Sequence, residues 1–87
     1  MKGTYQKEHM DGVTIVVSAD ELADGSFIPS FQLEEAHGPH LTVTPFDFTA
    51  EFSKSSRDDA VATAKSFALI ELYKRYPDGT KYRIEHR

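Results

Sequence analysis

Eighty-seven residues carry 10 Lys and Arg against 14 Asp and Glu, a net charge of −4, with no Cys, no Trp and 39% apolar positions. Twenty of them are Val, Ile, Leu or Phe, which supports one small folded domain and excludes a disordered chain. Lack of cysteine excludes a disulfide framework, a thiolate zinc site, an iron–sulfur cluster and a cysteine nucleophile, and no apolar run approaches the ~18 residues of a membrane span.

Residues 1–12 show no sustained period and end in the turn signal Asp11-Gly12, so they are expected to form an N-terminal arm or a short edge strand. The domain proper is expected over 13–87. It opens with the β-branched run Val13-Thr14-Ile15-Val16-Val17-Ser18, whose alternation predicts a strand with Val13, Ile15 and Val17 facing inward. A polar connection then ends in Asp24-Gly25, a turn signal. The second alternating run puts Phe27, Pro29, Phe31 and Leu33 on one face and Ile28, Ser30, Gln32 and Glu34 on the other. Pro29 has no N–H, so it must lie at an edge, at a bulge, or facing away from a neighbour.

After the reversal His37-Gly38-Pro39-His40, a long third strand is expected from Leu41 to Phe52. Leu41 and Val43 are in phase with each other, and Phe46, Phe48, Ala50 and Phe52 are in phase with each other, but the two sets differ by one residue. A bulge or bend near Thr44-Pro45 would restore a common inward face. The opposite, wet face would carry Thr14, Ser18, Ser30, Gln32, Glu34, Thr42, Asp47, Thr49 and Glu51, as in an antiparallel sheet covered on one side.

Ser56 followed by Asp58 and Asp59 predicts a helix start, because the free N–H groups and the dipole of a first turn favour oxygen and negative charge. At 100° per residue Ala60, Val61, Ala64, Phe67, Ala68 and Leu72 share one stripe, with Asp59, Thr63, Ser66 and Tyr73 mostly opposite. Small residues at 60, 64 and 68 let the helix axis approach the sheet, and the phenylalanines fill its flanks. Glu71 and Arg75 are spaced for an ion pair. Pro77-Asp78-Gly79 ends the helix near Tyr76, and 80–87 reads as a final strand or a basic tail. The fold class expected is therefore α+β, β-β-β-α(-β), with a three- to four-stranded antiparallel sheet covered on one face by a single helix.

Two segments, Asp24-Gly25-Ser26-Phe27-Ile28-Pro29-Ser30-Phe31 and Ser56-Arg57-Asp58-Asp59-Ala60-Val61-Ala62-Thr63-Ala64-Lys65, resemble the HicB-like antitoxin family. The first is similar to its Asp-Gly, aromatic, x, x, x, Phe strand opening, and the second to its Thr-x-Glu-Glu-Ala-x-x-x-Ala-x helix opening. The resemblance implies a partial RNase H-like sheet with one packed helix. The family's short turn is replaced here by residues 32–40, and its DNA-binding segment has no counterpart in 77–87. What the resemblance implies is a domain that pairs with itself through a sheet or helix and binds another macromolecule. A cytoplasmic location is expected separately, because Met1-Lys2-Gly3 leads into polar sequence and no apolar run is long enough for a membrane span.

The residues themselves offer several chemistries. His37 and His40 could hold a metal together with His9 or His86, but a Gly-Pro hairpin tip is ordinarily solvated and no acidic or cysteine ligand stands at a familiar spacing. Asp20, Glu21, Asp24, Asp47 and Glu51 could serve a metal-dependent nuclease, although most are placed on a loop or the wet face, where solvated acids maintain solubility. No Gly-x-Ser-x-Gly elbow and no phosphate-cradling glycine loop occurs. Phe27, Phe31, Phe46, Phe48 and Phe52 could stack nucleobases, but they share the face that the helix covers. No cofactor and no metal is expected.

The first 52 residues hold nine acids and two Lys, and the remainder eight Lys and Arg against five acids. The one basic concentration is Lys74, Arg75, Lys81, Arg83 and Arg87, which reads either as a solvated helix end and tail or as the partner-binding site for an acidic protein. A chain this short buries only roughly 60–65% of its unfolded surface, which favours pairing with a second copy. The reading is a non-catalytic, homodimeric protein-interaction module. The alternatives are a nucleic-acid-associated module working through the basic C-terminal segment, which an acidic mean field disfavours, and the metal-dependent nuclease.

Overall fold

A computed structural model describes residues 12–87, so the expected arm over 1–12 lies outside the described residues except for Gly12. Strand β1 spans Val13–Glu21, β2 Phe27–His37 and β3 His40–Asp47. A single 3-10 turn at Ala50–Phe52 leads to helix α1, Arg57–Arg75, and then to β4, Tyr82–His86. The strands form one sheet in the order β3-β2-β1-β4, covered on one face by α1. This is an α+β fold in the expected order, closed by the fourth strand.

The sheet is mixed instead of wholly antiparallel. β1 pairs antiparallel with β2, and β2 with β3, but β4 runs parallel to β1. Two hairpins leave β1 and β3 pointing the same way. A helical crossover then returns the chain to the starting end, and the next strand must run parallel to the one before the crossover.

The first hairpin turns where Leu22 N–H donates to Ser26 C=O and Gly25 adopts φ +86°, a left-handed conformation that glycine reaches without steric cost. Asp24 accepts from both the N–H and the hydroxyl of Ser26. Pro29 is fully buried within a central strand. Its neighbour on the β3 side is missing: the strand pairing starts at Ser30 with Asp47, and the next contact toward the N-terminus is Phe27 with Lys54. Pro29 thus faces a gap in the ladder, where no N–H is needed.

The expected bulge is absent. Pairing between β2 and β3 runs unbroken from Ser30 with Asp47 to His37 with His40. Side chains directly opposite share a face, so Phe46 joins Phe31 and Leu33 under the helix, while Leu41 and Val43 sit beside Ala36 and Glu34 on the uncovered face. Thr42, expected on the wet face, points to the helix side opposite Glu35. The two apolar sets of the third run therefore lie on opposite faces. The run also ends at Asp47. Phe48 and Phe52 reach the core margin from the connection, whereas Thr49 flanks the 3-10 turn and Ala50 and Glu51 within it are exposed.

Helix α1 begins as expected: the Ser56 hydroxyl accepts from Asp59 N–H at 3.1 Å. Ala60, Ala64, Ala68 and Leu72 are buried against Val13, Ile15, Val17, Phe31 and Leu33. Val61, Leu69, Tyr76 and Ile84 pack partly buried around that cluster. The rings of Phe31 and Phe46 stack at 4.6 Å between centroids, and Phe48 meets Phe52 and Phe67 edge-on at 5.4 and 5.2 Å. Phe67, expected within the buried stripe, stays 39% exposed, since it lies at the stripe's margin and meets only Phe48 and Phe52 of the β3–α1 connection among the described rings.

Candidate interaction surfaces

The uncovered face of the sheet is not uniformly polar. Ser18 and Ser30 form a cross-strand hydroxyl pair at 2.6 Å, and Gln32 donates to Glu34 at 2.8 Å. Beside them Leu41 and Val43 are 61% and 46% exposed. Large apolar side chains held this open cost free energy in water that a partner surface would recover, about 25 cal/mol per Å² covered.

The two outer strands differ in their edges. Phe27 exchanges both backbone hydrogen bonds with Lys54, so by alternation the odd residues of β2 turn their N–H and C=O toward the β3 side and bond the even residues of β3. Leu41, Val43, Pro45 and Asp47 therefore turn their backbone groups outward, and among the described residues nothing pairs with them. This is an open edge with four carbonyls and three N–H donors, since Pro45 has none. On β4, by contrast, Arg83 binds Glu85 at 3.1 Å and reaches Thr14 Oγ1 at 3.3 Å, so the outermost strand carries an ordered pair of charges.

Among the described residues only one acid is buried. Glu35 follows Phe31 and Leu33 in phase and enters the helix side of the sheet, where Arg75 Nη1 lies 3.0 Å from Oε1 and the Tyr76 hydroxyl donates to Oε2 at 2.5 Å. Arg75 also makes the expected bond to Glu71, Nε to Oε2 at 3.0 Å, and its guanidinium lies 5.7 Å from the Phe46 ring centroid. These contacts clamp the last turn of α1 to β2. Burial, reinforced by the bond to Glu35, pushes the Tyr76 phenol up to about 12. Bonding to Glu71, against some desolvation, raises Arg75 above the ordinary guanidinium value. The hydroxyl and N–H of Ser26 hold Asp24 below the usual carboxylate range.

The expected basic cluster is dispersed. Arg75 is turned inward onto Glu35 and Glu71, and exposed Lys74 lies on the helix. Lys81 and Arg83 line a shallow groove of about 470 Å³ on the uncovered side, together with Thr14, Glu34, Ala36 and Leu41. Arg87, at the other end of β4, donates its N–H to Val17 C=O and borders a different groove with Arg57, Lys65 and His86. Proximity in sequence misled here because the sheet separates the helix end from the β4 side chains that point away from it. Arg57 itself donates to Ala19 C=O at 2.9 Å and covers the Phe27 ring at 5.0 Å, so it fastens the start of α1 to the sheet.

His37 and His40 are the closing pair of the β2–β3 hairpin, around Gly38 at φ +63°. His86 pairs with Val17, midway along β1 and four residues from Val13, which lies beside Glu35 near that hairpin, and His9 lies outside the described residues. Asp20 and Asp47 occupy β1 and β3, the two strands flanking β2, so strand spacing alone separates their backbones by about 10 Å. Among the described residues no three His, Cys, Asp or Glu side chains converge as metal ligands, and no helix is long and apolar enough to cross a membrane.

Glu35 escaped the sequence reading, although its signal was present: it continues the inward set Phe31, Leu33, Glu35. The class that fold and surface define is a small α+β domain with one helix-covered sheet face and one open strand edge. No family model matches this sequence, and no curated protein or solved structure matches it either.

Proposed function

We propose that this chain is a non-catalytic protein-interaction module, HicB-like in its order of elements, which acts as a homodimer. The β-β-β-α-β order and the single helix packed on the sheet support that relationship. The observation that carries the interaction reading is the outward edge of β3, where backbone groups unpaired among the described residues run beside exposed Leu41 and Val43. Such an edge is a template for another strand. The acids and histidines considered for catalysis are spread between the hairpin, the strand ends and the 3-10 turn. That dispersion supports a binding role over a hydrolytic one.

Sedimentation of the full chain across a concentration series tests the reading. A reversible monomer–dimer equilibrium is expected, and added salt should not weaken it because no ion pair is needed at the edge. A strict monomer at every concentration would remove the homodimer. Association that instead appears only with nucleic acid, and weakens steeply with salt, would favour a role for Lys81, Arg83 and Arg87.

A further inference from the structure

We infer that two copies join along β3 in one register, antiparallel, with a two-fold axis passing between Thr42 and its counterpart. The inference rests on the reading of the chain as a self-pairing module and adds the edge, the register and the residues that meet.

Leu41 and Val43 present their N–H and C=O outward, as derived from the Phe27–Lys54 bridge and the unbroken β2–β3 pairing. On either side of Thr42, three residues away, stand Pro39 and Pro45, neither of which can donate. The window 40–44 is therefore bounded symmetrically by two prolines. In the antiparallel register that sets Leu41 against Val43 of a second copy, each of these two residues exchanges both hydrogen bonds with its opposite number. Repeated by symmetry, this makes four bonds and leaves no donor or acceptor between the prolines unpaired. Sliding by one allowed step, to set Val43 against Val43 or Leu41 against Leu41, brings a proline ring against a carbonyl and leaves that carbonyl without a donor.

The side chains fit the same register. On the uncovered face Leu41 of each copy lies directly opposite Val43 of the other, so four exposed apolar side chains close on one another. On the helix side Thr42 meets Thr42. A helix overhanging this edge would block the approach, but α1 packs over β1 and β2, the two central strands. Charge also selects this edge. The protein is net acidic and repels itself over most of its surface, yet the window His40-Leu41-Thr42-Val43-Thr44 contains no Asp, Glu, Lys or Arg. A two-fold axis sets each residue near its own copy, where like charges oppose, and an edge free of them avoids that cost.

Single cysteines test the register, since the natural chain has none. In the inferred pairing the two Thr42 residues form a non-hydrogen-bonded pair with Cα atoms about 4.5 Å apart, within the range a disulfide spans. Leu41 and its counterpart, and Val43 and its counterpart, are offset by two residues and lie beyond about 7 Å. Mild oxidation of Thr42→Cys at a concentration where the natural chain dimerises is expected to yield a covalent dimer at least tenfold faster than Leu41→Cys or Val43→Cys. Val43→Pro removes only an outward N–H, so it spares the β2–β3 bonds, and it should weaken dimerisation at least tenfold.

Faster cross-linking through Val43→Cys or Leu41→Cys, with dimerisation intact, overturns the register and leaves the module reading standing. A natural dimer that resists both Val43→Pro and cross-linking at all three positions overturns the β3 edge as the interface. A chain that sediments as a monomer throughout overturns the homodimer itself. Circular dichroism of Val43→Pro separates a lost interface from a lost fold, and the cysteine series remains decisive where that variant fails to fold.

Discussion

The two borders of the sheet are built on opposite principles. β4 is the chain's last strand, lies parallel to β1 and carries Arg83 and Glu85 as an ordered pair on its uncovered side. Charges on an outer strand must be stripped of water before another strand can dock, which discourages pairing. β3 is antiparallel to its neighbour, has no Asp, Glu, Lys or Arg from His40 to Pro45, and exposes Leu41 and Val43. Its protection, Pro45 and the charge of Asp47, lies beyond the stretch proposed to pair. One molecule thus holds a guarded border and an open one, and the difference teaches that strand edges are assigned residue by residue. It also explains why a net acidic chain can approach itself there.

The largest expected effect compares how firmly each side is tied to the core. Phe31 is buried between the helix and the Phe46 ring, so Phe31→Ala should cost about 3–5 kcal/mol in urea unfolding. Ile84 on β4 is half-buried, and Ile84→Ala should cost about 2 kcal/mol at most. The reverse order would place the main anchor on the β4 side.

Glu35→Ala should come next, at about 1–3 kcal/mol in the same measurement, because Tyr76 and Arg75 lose the acceptor that fixes the end of α1 to β2. Replacement without measurable loss would mean that the clamp adds nothing to stability.

Removing the guard sharpens the comparison directly. The double variant Arg83→Val, Glu85→Val should change stability by less than about 0.5 kcal/mol while species larger than a dimer emerge on sedimentation. If the assembly stays dimeric, those charges are not what keeps β4 unpaired.

The smallest effect is confined to alkaline solution. Tyr76 is raised to about 12 from the ordinary phenol value of 10, so the unfolded chain releases this proton first. Its contribution to stability is complete below about pH 10 and is lost as pH rises through about 12. Phenolate absorbance of the four tyrosines should show one late step, absent in Tyr76→Phe.

Much of this architecture was legible before any coordinates. The inward set Val13, Ile15, Val17, the serine cap of α1 and the alanine stripe at 60, 64 and 68 all follow from local rules: period two, period 3.6, and the chemistry of a helix start. The Glu71–Arg75 pair followed likewise, from spacing along one helix. The failures share a different character. The phase change between Val43 and Phe46 calls for a bulge only if all apolar residues of a run share the covered face. In the structure Leu41 and Val43 belong to an exposed border, so no restoring bulge is required. Similarly, Lys74, Arg75, Lys81, Arg83 and Arg87 are neighbours along the chain, but a crossover into a parallel strand distributes them over different surfaces. Glu35 was overlooked because its partners are forty residues distant.

By itself the sequence determined the first three strands and the helix, their order, and the helix face that is buried, since each of these depends on interactions within about four residues, whereas 80–87 stayed open between a strand and a tail. Only the tertiary structure decided the direction of β4, the register of β3, the burial of Glu35 and the existence of one open edge. Those depend on which strands become neighbours, and neighbours are chosen by the burial of the whole apolar surface at once, a quantity that no local pattern contains.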